Sequence, residues 1–183
     1  MNTDLSSYNN SWFKPGPAIK RILWHYTNGI FFKTGLFPFY RLKTFLLKAF
    51  GAKIGKGVLI KPFVNIKYPW FLSIDNYVWI GENVWIDNLA HITIGSNVCV
   101  SQGAMLLTGN HDYRKPGFDL SLKKVKIEDG VWIGAGAVVC PGVTCKTHSV
   151  LMVGSIATKD LEQYSVYRGN PAEKIKDRIF QEV

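Results

Sequence analysis

The chain has 183 residues, enough for one domain with a sizeable core, and a formal net charge of +9 at pH 7. The longest uncharged stretch of its first 50 residues, residues 22–32, is too short to span a bilayer, and three cysteines without a CxxC pair give no disulfide framework. The basic charge comes without a recognition motif, so we expect no nucleic-acid partner.

Residues 1–50 form an aromatic and basic N-terminal segment with twelve of the 25 aromatic residues. We predict helices over about 17–31 and 39–50, separated by Gly35 and Pro38. Basic side chains beside Trp and Phe are typical of a helix at a membrane surface, but such helices can also cap the open end of the fold that follows. Both interpretations stay open. The sequence shows no signal-peptide pattern, so we expect a cytoplasmic protein, free or peripheral at the inner membrane face.

A six-residue repeat begins after Gly51. Most units start with a branched aliphatic residue, eight of thirteen carry Gly or Asn three residues later, and nearly all then have Val, Ala or Ser. Gly and Asn tolerate the positive φ that a tight corner needs, and three units make a triangular coil that rises one strand spacing, about 4.8 Å. The repeat therefore predicts an all-β solenoid of parallel strands over residues 51–160. The units start at Ile54, Ile60, Ile66, Ile74, Ile80, Ile86, Ile94, Val100, Ile127, Ile133, Val139, Cys145 and Leu151.

Three interruptions break this repeat. Two eight-residue steps, at 66–74 and 86–94, predict small bulged corners, and residues 107–124 predict a basic protruding loop. His111 stands in this loop beside Asp112, and histidine is the side chain that most often serves as a general base. We therefore take His111 as a candidate general base, with the partner of its second ring nitrogen left open.

Residues 161–183 form a C-terminal extension that does not follow the repeat. Pro171 suits the first turn of a helix, so we predict a short C-terminal helix from there to about Gln181. This helix would pack outside the coil or close its far end.

The repeat and the run Leu-Leu-Thr-Gly-Asn-His-Asp-Tyr at 106–113 resemble the hexapeptide-repeat sugar O-acetyltransferases, especially the colanic-acid and exopolysaccharide type. The resemblance covers about residues 51–176. It implies a left-handed parallel β-helix, acetyl-CoA as co-substrate, and His111 as the catalytic base that activates a sugar hydroxyl. It also implies a homotrimer in which coenzyme A binds between two subunits, and a sugar or lipid-linked saccharide as acceptor.

The same resemblance implies further site residues. Asp87 and Asn88, with Asn83 as a competing match, would bind the acceptor together with Trp132. The cofactor would contact Ala135 and Val153 along its pantetheine arm, and Thr158, Lys159 and Lys176 near its nucleotide end. The family often has Arg near Glu173, which this chain lacks, so the phosphate contacts of the C-terminal segment are in question.

The same fold also occurs in proteins with other functions, which the sequence supports less well. The γ-class carbonic anhydrases use three histidine ligands, but His25, His91, His111 and His148 are not spaced for that site, so we expect no metal. Two alternatives remain. One is N-acetylation of an amino sugar or another small amine, and the other is a scaffold without catalytic activity.

Overall fold

A computed structural model describes residues 2–181 of the chain. Its main body is a three-sided prism in which the chain passes in turn over three faces, which we call A, B and C, before rising to the next coil. All strand pairs between successive coils are parallel. The predicted solenoid is therefore present, with its hydrophobic side chains in the interior of the prism.

Each face is one sheet. Face A contains β1 (Lys53–Ile54), β4 (Leu72–Ile74), β7 (Ile92–Ile94), β12 (Val125–Ile127) and β15 (Thr144–Cys145). Face B contains β2 (Leu59–Ile60), β5 (Trp79–Ile80), β8 (Cys99–Val100), β13 (Trp132–Ile133), β16 (Val150–Leu151), β18 (Ser165–Gly169) and β19 (Ala172–Asp177). Face C contains β3 (Asn65–Ile66), β6 (Trp85–Asp87), β9 (Met105–Leu107), β14 (Val138–Val139) and β17 (Ile156–Ala157). A two-stranded hairpin of β10 (Gly109–His111) and β11 (Leu120–Leu122) stands apart from the faces.

The repeat predicts both the core and the corners of the prism. All thirteen residues that start a unit are buried, and Cys145 is one of them. All eight Gly or Asn residues at the third position have positive φ, for example Asn83 at 59° and Gly130 at 67°. Gly adopts this conformation freely because it lacks a Cβ atom, and Asn tolerates it better than most other residues, which explains why the corners recur as Gly or Asn.

All three interruptions of the repeat lie where the chain passes from face C to face A, a corner that we call the C–A edge. A short 3-10 helix, Pro69–Phe71, occupies the first interruption, and a turn after Asp87 occupies the second. The hairpin of β10 and β11 leaves the prism at the third. Three successive coils therefore place their extra residues along one edge.

The N-terminal helices cap the first coil. A short 3-10 turn, Leu5–Ser7, precedes α1 (Ala18–Thr27), which continues as a π-helical turn over Asn28–Phe32, and α2 (Tyr40–Ala49) follows. Both helices lie within the predicted ranges. The side chains of Phe32 and Leu47 are fully buried against the coil, so the capping interpretation is supported. No helix within residues 2–181 is long and apolar enough to cross a membrane.

The predicted C-terminal helix is wrong. Residues 165–177 instead form an antiparallel hairpin of β18 and β19, and Pro171 lies in its turn. β18 pairs in parallel with β16, which would otherwise be the open edge of face B. Pairing this edge satisfies its backbone N–H and C=O groups, and this tertiary requirement outweighs the weak helix preference of the segment.

Candidate active site

His111 lies at the end of β10, on the hairpin that leaves the C–A edge. β10 pairs antiparallel with β11, so that His111 is opposite Leu120. Its side chain is exposed, and the residue borders a cavity of about 200 Å³, whose other walls include Arg114, Lys123 and Pro141. The hairpin thus holds the imidazole outside the prism, where a substrate can reach it.

A backbone carbonyl fixes the orientation of the His111 ring. Nδ1 lies 2.6 Å from the carbonyl oxygen of Phe118, a residue whose φ of 51° turns the loop back toward β10. A carbonyl can only accept a hydrogen bond, so Nδ1 must carry the proton and Nε2 keeps its lone pair. The ring therefore has the tautomer that a general base needs, and Phe118 is the partner that the sequence left open.

The two carboxylates near His111 form salt bridges with other side chains of the loop. Asp112 forms a salt bridge with Arg114 (2.9 Å), and Asp119 forms one with Lys115 (3.0 Å). The hydrogen bonds from Arg114 hold the pKa of Asp112 below its usual value, and the hydrogen bond from Lys115 does the same for Asp119. Asp112 therefore stabilises the loop and is not the partner of His111.

Asp87 lies on the same side of the hairpin as His111. It ends β6 and pairs with Leu107, the residue at the base of the hairpin. A Cβ atom on Gly109 would lie 3.7 Å from Oδ2 of Asp87. His111 is two residues after Gly109 on β10, and side chains two apart on a strand face the same side, so the His111 side chain faces the side on which Asp87 lies. Partial burial raises the pKa of Asp87, while the nearby charge of Lys67 opposes this shift. Acceptor binding by Asp87 is consistent with this geometry and stays a prediction.

The structure gives Asn88 a different role from the predicted one. Its side chain is fully buried, and its amide donates to the carbonyl of Tyr68 (2.6 Å) and accepts from the N–H of the same residue (3.0 Å). No donor or acceptor of this pair faces solvent, so Asn88 stabilises the corner and does not bind an acceptor. The competing match, Asn83, is a corner residue between faces B and C.

Trp132 lies on face B, away from the hairpin of its own chain. Its ring is half exposed, and Nε1 donates to Oγ of Ser101 (2.9 Å). Trp79 is also exposed on face B, two strands away across Cys99. Within one chain Trp132 does not join the His111 pocket, so its predicted role requires a second subunit.

Ala135 and Val153 are brought together at the corner between faces B and C. The carbonyl of Ala135 accepts from the N–H of Gly154 (2.8 Å), which leaves its own N–H as the group that it could offer to an amide chain. A Cβ atom on Gly136 or Gly154 would meet no atom within 4 Å, so the space beside this corner is open. Contact of Ala135 and Val153 with a pantetheine arm stays a prediction.

The three residues predicted for the nucleotide end of the cofactor do not converge. Thr158 and Lys159 follow β17 and are exposed on the C–A edge. Lys176 is exposed on β19, the outermost strand of face B, opposite Val166. In a single chain Lys176 therefore lies apart from the other two, because the segment expected to be a helix is a strand.

The residues before α1 form a part of the site that sequence reasoning missed. The N–H of Asp4 donates to the carbonyl of Pro116 (3.0 Å), and the N–H of Asn9 donates to Oδ1 of Asp119 (3.2 Å). The ring of Tyr8 lies 6.0 Å from that of His111, measured between centroids. We call residues 4–9 the N-terminal strap. Only long-range contacts reveal it, since no local pattern marks these residues.

We predict that the strap restrains the His111 hairpin. Gly117 is buried beneath it, and a Cβ atom there would come within 2.9 Å of the backbone of Ser7 and Tyr8. Gly117→Ala should therefore displace the strap and lower kcat about fivefold, the equivalent of one hydrogen bond of roughly 1 kcal/mol. Faster amide exchange at Asp4 and Asn9 would report the displacement.

Substitutions of Tyr8 provide the control for the strap. Tyr8→Ala should reduce kcat as Gly117→Ala does, whereas Tyr8→Phe keeps the ring and should retain activity. Full activity in Tyr8→Ala, with the strap still protected from exchange, would contradict a role for this ring.

No group of three His, Cys, Asp or Glu side chains within residues 2–181 is placed to hold a metal ion. His91, for example, makes a hydrogen bond of 3.0 Å with Oγ of Ser73, and burial, assisted by Lys124 and Lys53, lowers its pKa. It is a partly buried structural histidine of the C–A edge.

Comparison with known sequences relates the chain to acetyltransferases, although no protein-family model matches it. Over 177 residues it is 38% identical to the "Putative colanic acid biosynthesis acetyltransferase WcaF" of Escherichia coli K12, covering 96% of this chain and 97% of that protein. It is 33% identical over 136 residues to the galactoside O-acetyltransferase of the same organism, covering 72% and 66%.

Solved structures give the same result. The galactoside acetyltransferase in complex with coenzyme A has a TM-score of 0.78 and 27% identity, covering 88% of this chain and 82% of that one. A hexapeptide-repeat acetyltransferase of Vibrio cholerae, complexed with acetyl coenzyme A, has a TM-score of 0.81 at 23% identity, covering 92% and 93%. The predicted fold, a left-handed parallel β-helix, is confirmed.

Proposed function

Since the chain belongs to the hexapeptide-repeat acetyltransferases of the colanic-acid type, and is thus an acetyl-CoA-dependent acyltransferase, we propose that it acetylates a sugar hydroxyl of an exopolysaccharide precursor. The observation that carries this proposal is the hydrogen bond from His111 Nδ1 to the Phe118 carbonyl. It leaves Nε2 as an unprotonated acceptor on an exposed side chain, which is what the activation of a hydroxyl requires.

The reaction is a direct transfer. Nε2 of His111 accepts the proton of the sugar hydroxyl while the hydroxyl oxygen attacks the thioester carbonyl carbon of acetyl-CoA. The carbon–sulfur bond then breaks, and the imidazolium returns the proton to the thiolate of coenzyme A. The Phe118 carbonyl stabilises the imidazolium by accepting from Nδ1–H throughout.

The acceptor is a sugar of a colanic-acid-type polysaccharide. WcaF is named for colanic acid biosynthesis, and the galactoside O-acetyltransferase for a sugar substrate. Asp87 supports this assignment, because its carboxylate lies beside the hairpin and can accept hydrogen bonds from sugar hydroxyls.

The active form is a homotrimer in which two subunits build each site. Within one chain Trp132 and the corner of Ala135 and Val153 are separated from His111 by the faces of the prism. A neighbouring subunit would bring its Trp132 and its open corner to the hairpin, with Thr158 and Lys159 near the nucleotide end of the cofactor.

The N-terminal segment contacts the inner membrane face, where a lipid-linked acceptor is located. Residues 1–70 carry eleven Lys or Arg against the single acid Asp4. Several large apolar side chains of this segment are exposed although the helices also cap the coil, among them Ile19, Leu36 and Phe39. Apolar and basic side chains together favour anionic lipid.

The release of coenzyme A with a panel of saccharide acceptors tests the function. Neutral oligosaccharides of the host's surface polysaccharide should support release, and mass spectrometry should locate the acetyl ester on a sugar oxygen. Faster transfer to amino sugars would favour N-acetylation instead. Saturable binding of acetyl-CoA without transfer to any sugar or amine would favour a scaffold.

A further inference from the structure

A groove of about 620 Å³ runs between α1 and the first coil, at the foot of the C–A edge. Its walls include three exposed cations: Arg21 from α1, Lys33 after the π-helical turn, and Lys67 after β3. His25 and Tyr68 also line it. The groove is about three times the volume of the cavity beside His111, and the proposed transfer reaction does not use it.

The groove has a strong excess of positive charge. None of its lining residues is acidic, and no carboxylate within residues 2–181 forms a salt bridge with Arg21, Lys33 or Lys67. Lys126 is paired with Glu128, but most lysines of the described residues form no salt bridge, so what distinguishes these three cations is that they line one cavity. Asp87 lies close enough to Lys67 to feel its charge, which offsets only part of the positive charge of the groove. Three cations around one cavity repel one another, so an anion with several oxygens is the ligand that they favour.

The position of the groove relates it to His111. Lys67, Asp87 and Leu107 occupy equivalent positions at the ends of β3, β6 and β9, which are neighbouring strands of face C. The N–H of Lys67 donates to the carbonyl of Ile86 (3.0 Å). Lys67 and Leu107 are therefore two strand spacings apart, roughly 10 Å. A ligand can lie along the C–A edge with its anionic end in the groove and a sugar near the hairpin.

An apolar stripe borders the groove. Ile19, Leu23, Tyr26 and Ile30 recur at the spacing of one helix face, and all four are exposed. Arg21 and His25 lie on the adjacent face of α1, toward the groove. An apolar stripe beside a cationic groove is the arrangement that places phosphate-binding side chains at the level of lipid headgroups.

We propose that this groove binds the diphosphate of a lipid-linked saccharide acceptor. This inference rests on the proposed function, because it assigns the part of the acceptor that His111 does not touch. Arg21, Lys33 and Lys67 contact the diphosphate oxygens, the apolar stripe enters the bilayer, and the first sugars extend along the C–A edge toward Asp87.

The test is a binding measurement that requires no turnover. The full-length protein is titrated with inorganic pyrophosphate, with uridine diphosphate glucose, and with phosphatidylglycerol–phosphatidylcholine vesicles that contain or lack undecaprenyl diphosphate. The variant Arg21→Gln/Lys67→Gln is compared with Arg41→Gln/Lys48→Gln. The control pair removes the same charge from exposed positions of α2 outside the groove.

The groove variant should bind pyrophosphate and undecaprenyl-diphosphate vesicles at least tenfold more weakly than the unaltered protein. The control variant should lose the same affinity for vesicles whether or not they contain the diphosphate. Equal losses in the two variants, or no binding of pyrophosphate by the unaltered protein, would overturn the proposal. Tighter binding of uridine diphosphate glucose than of the lipid diphosphate would overturn the lipid-linked source.

Two readouts separate this proposal from the transfer function. If the groove variant loses diphosphate binding but no saccharide is acetylated by the unaltered protein, the proposed function fails and the groove assignment stands. If saccharides are acetylated with the same kinetics whether or not they carry a diphosphate, the groove assignment fails and the transfer function stands.

Discussion

Replacing His111 with alanine should lower kcat by about 10²–10⁴-fold, the usual contribution of general acid–base catalysis. The variant loses the imidazole whose Nε2 lone pair is left free by the hydrogen bond from Nδ1 to the Phe118 carbonyl. Affinity for acetyl-CoA should be retained, because none of its predicted contacts lies in the hairpin of β10 and β11. Steady-state release of coenzyme A and calorimetric titration with acetyl-CoA measure the two effects.

Lys126→Ala is a suitable control for this variant, since Lys126 is exposed on face A and only forms a salt bridge with Glu128. Its kcat should stay close to that of the unaltered protein. A His111→Ala variant that turns over at the same rate as this control would exclude His111 as the base, and with it the proposed mechanism.

Mixing variants tests whether two subunits share the site. His111→Ala and Trp132→Ala each damage one half of a shared site. A mixed trimer contains one interface at which an intact His111 of one subunit meets an intact Trp132 of its neighbour, so mixed trimers should regain activity. If activity does not recover although the subunits are shown to exchange, His111 and Trp132 do not form one site between two subunits.

Replacing Trp24 with alanine should cost about 3–5 kcal/mol of the free energy of unfolding. This ring is 2% exposed and packs between Phe32 and Phe50, with centroid distances of 5.3 and 5.1 Å. Its Nε1 donates to the carbonyl of Ile66 (2.8 Å), so the substitution also leaves a buried acceptor without its donor. Urea titration followed by circular dichroism measures the loss.

Two further substitutions separate packing from the hydrogen bond. Trp24→Phe keeps most of the ring but removes the donor, and should lie between the alanine variant and the unaltered protein. Trp12→Ala removes an exposed tryptophan of the same segment and should change stability by no more than about 0.5 kcal/mol. If Trp24→Ala were as mild as Trp12→Ala, the helices would not be docked on the coil.

The extra residues along the C–A edge show how far the repeat can be used. The sequence predicts a corner at 66–74, another at 86–94 and a loop at 107–124, but it does not show that they stack. They stack because each coil returns to the same face after three units, so interruptions one coil apart meet at one edge. The same stacking places Lys67, Asp87 and His111 on one side of the prism.

The residues predicted to bind the cofactor show where the repeat stops being informative. Ala135 and Val153 stack because they occupy the same position in successive coils, which periodicity determines. Lys176 lies outside the repeat, and its position depends on β18 covering the open edge of face B. A sequence pattern contains no information about which segment will cover an edge.

By itself the sequence determined the parallel coil, its buried positions, the positive-φ residues of its corners and the presence of a protruding segment that carries His111. These features follow from local rules, because branched side chains at a period of six must be buried together and only Gly or Asn turns the corners at low cost. That the protruding segment is a β-hairpin was shown only by the structure. Only the tertiary structure decided the tautomer of His111, the burial of Asn88, the N-terminal strap and the cationic groove. Each of these depends on atoms from segments that are distant in the chain, and such contacts form only when the whole coil is assembled.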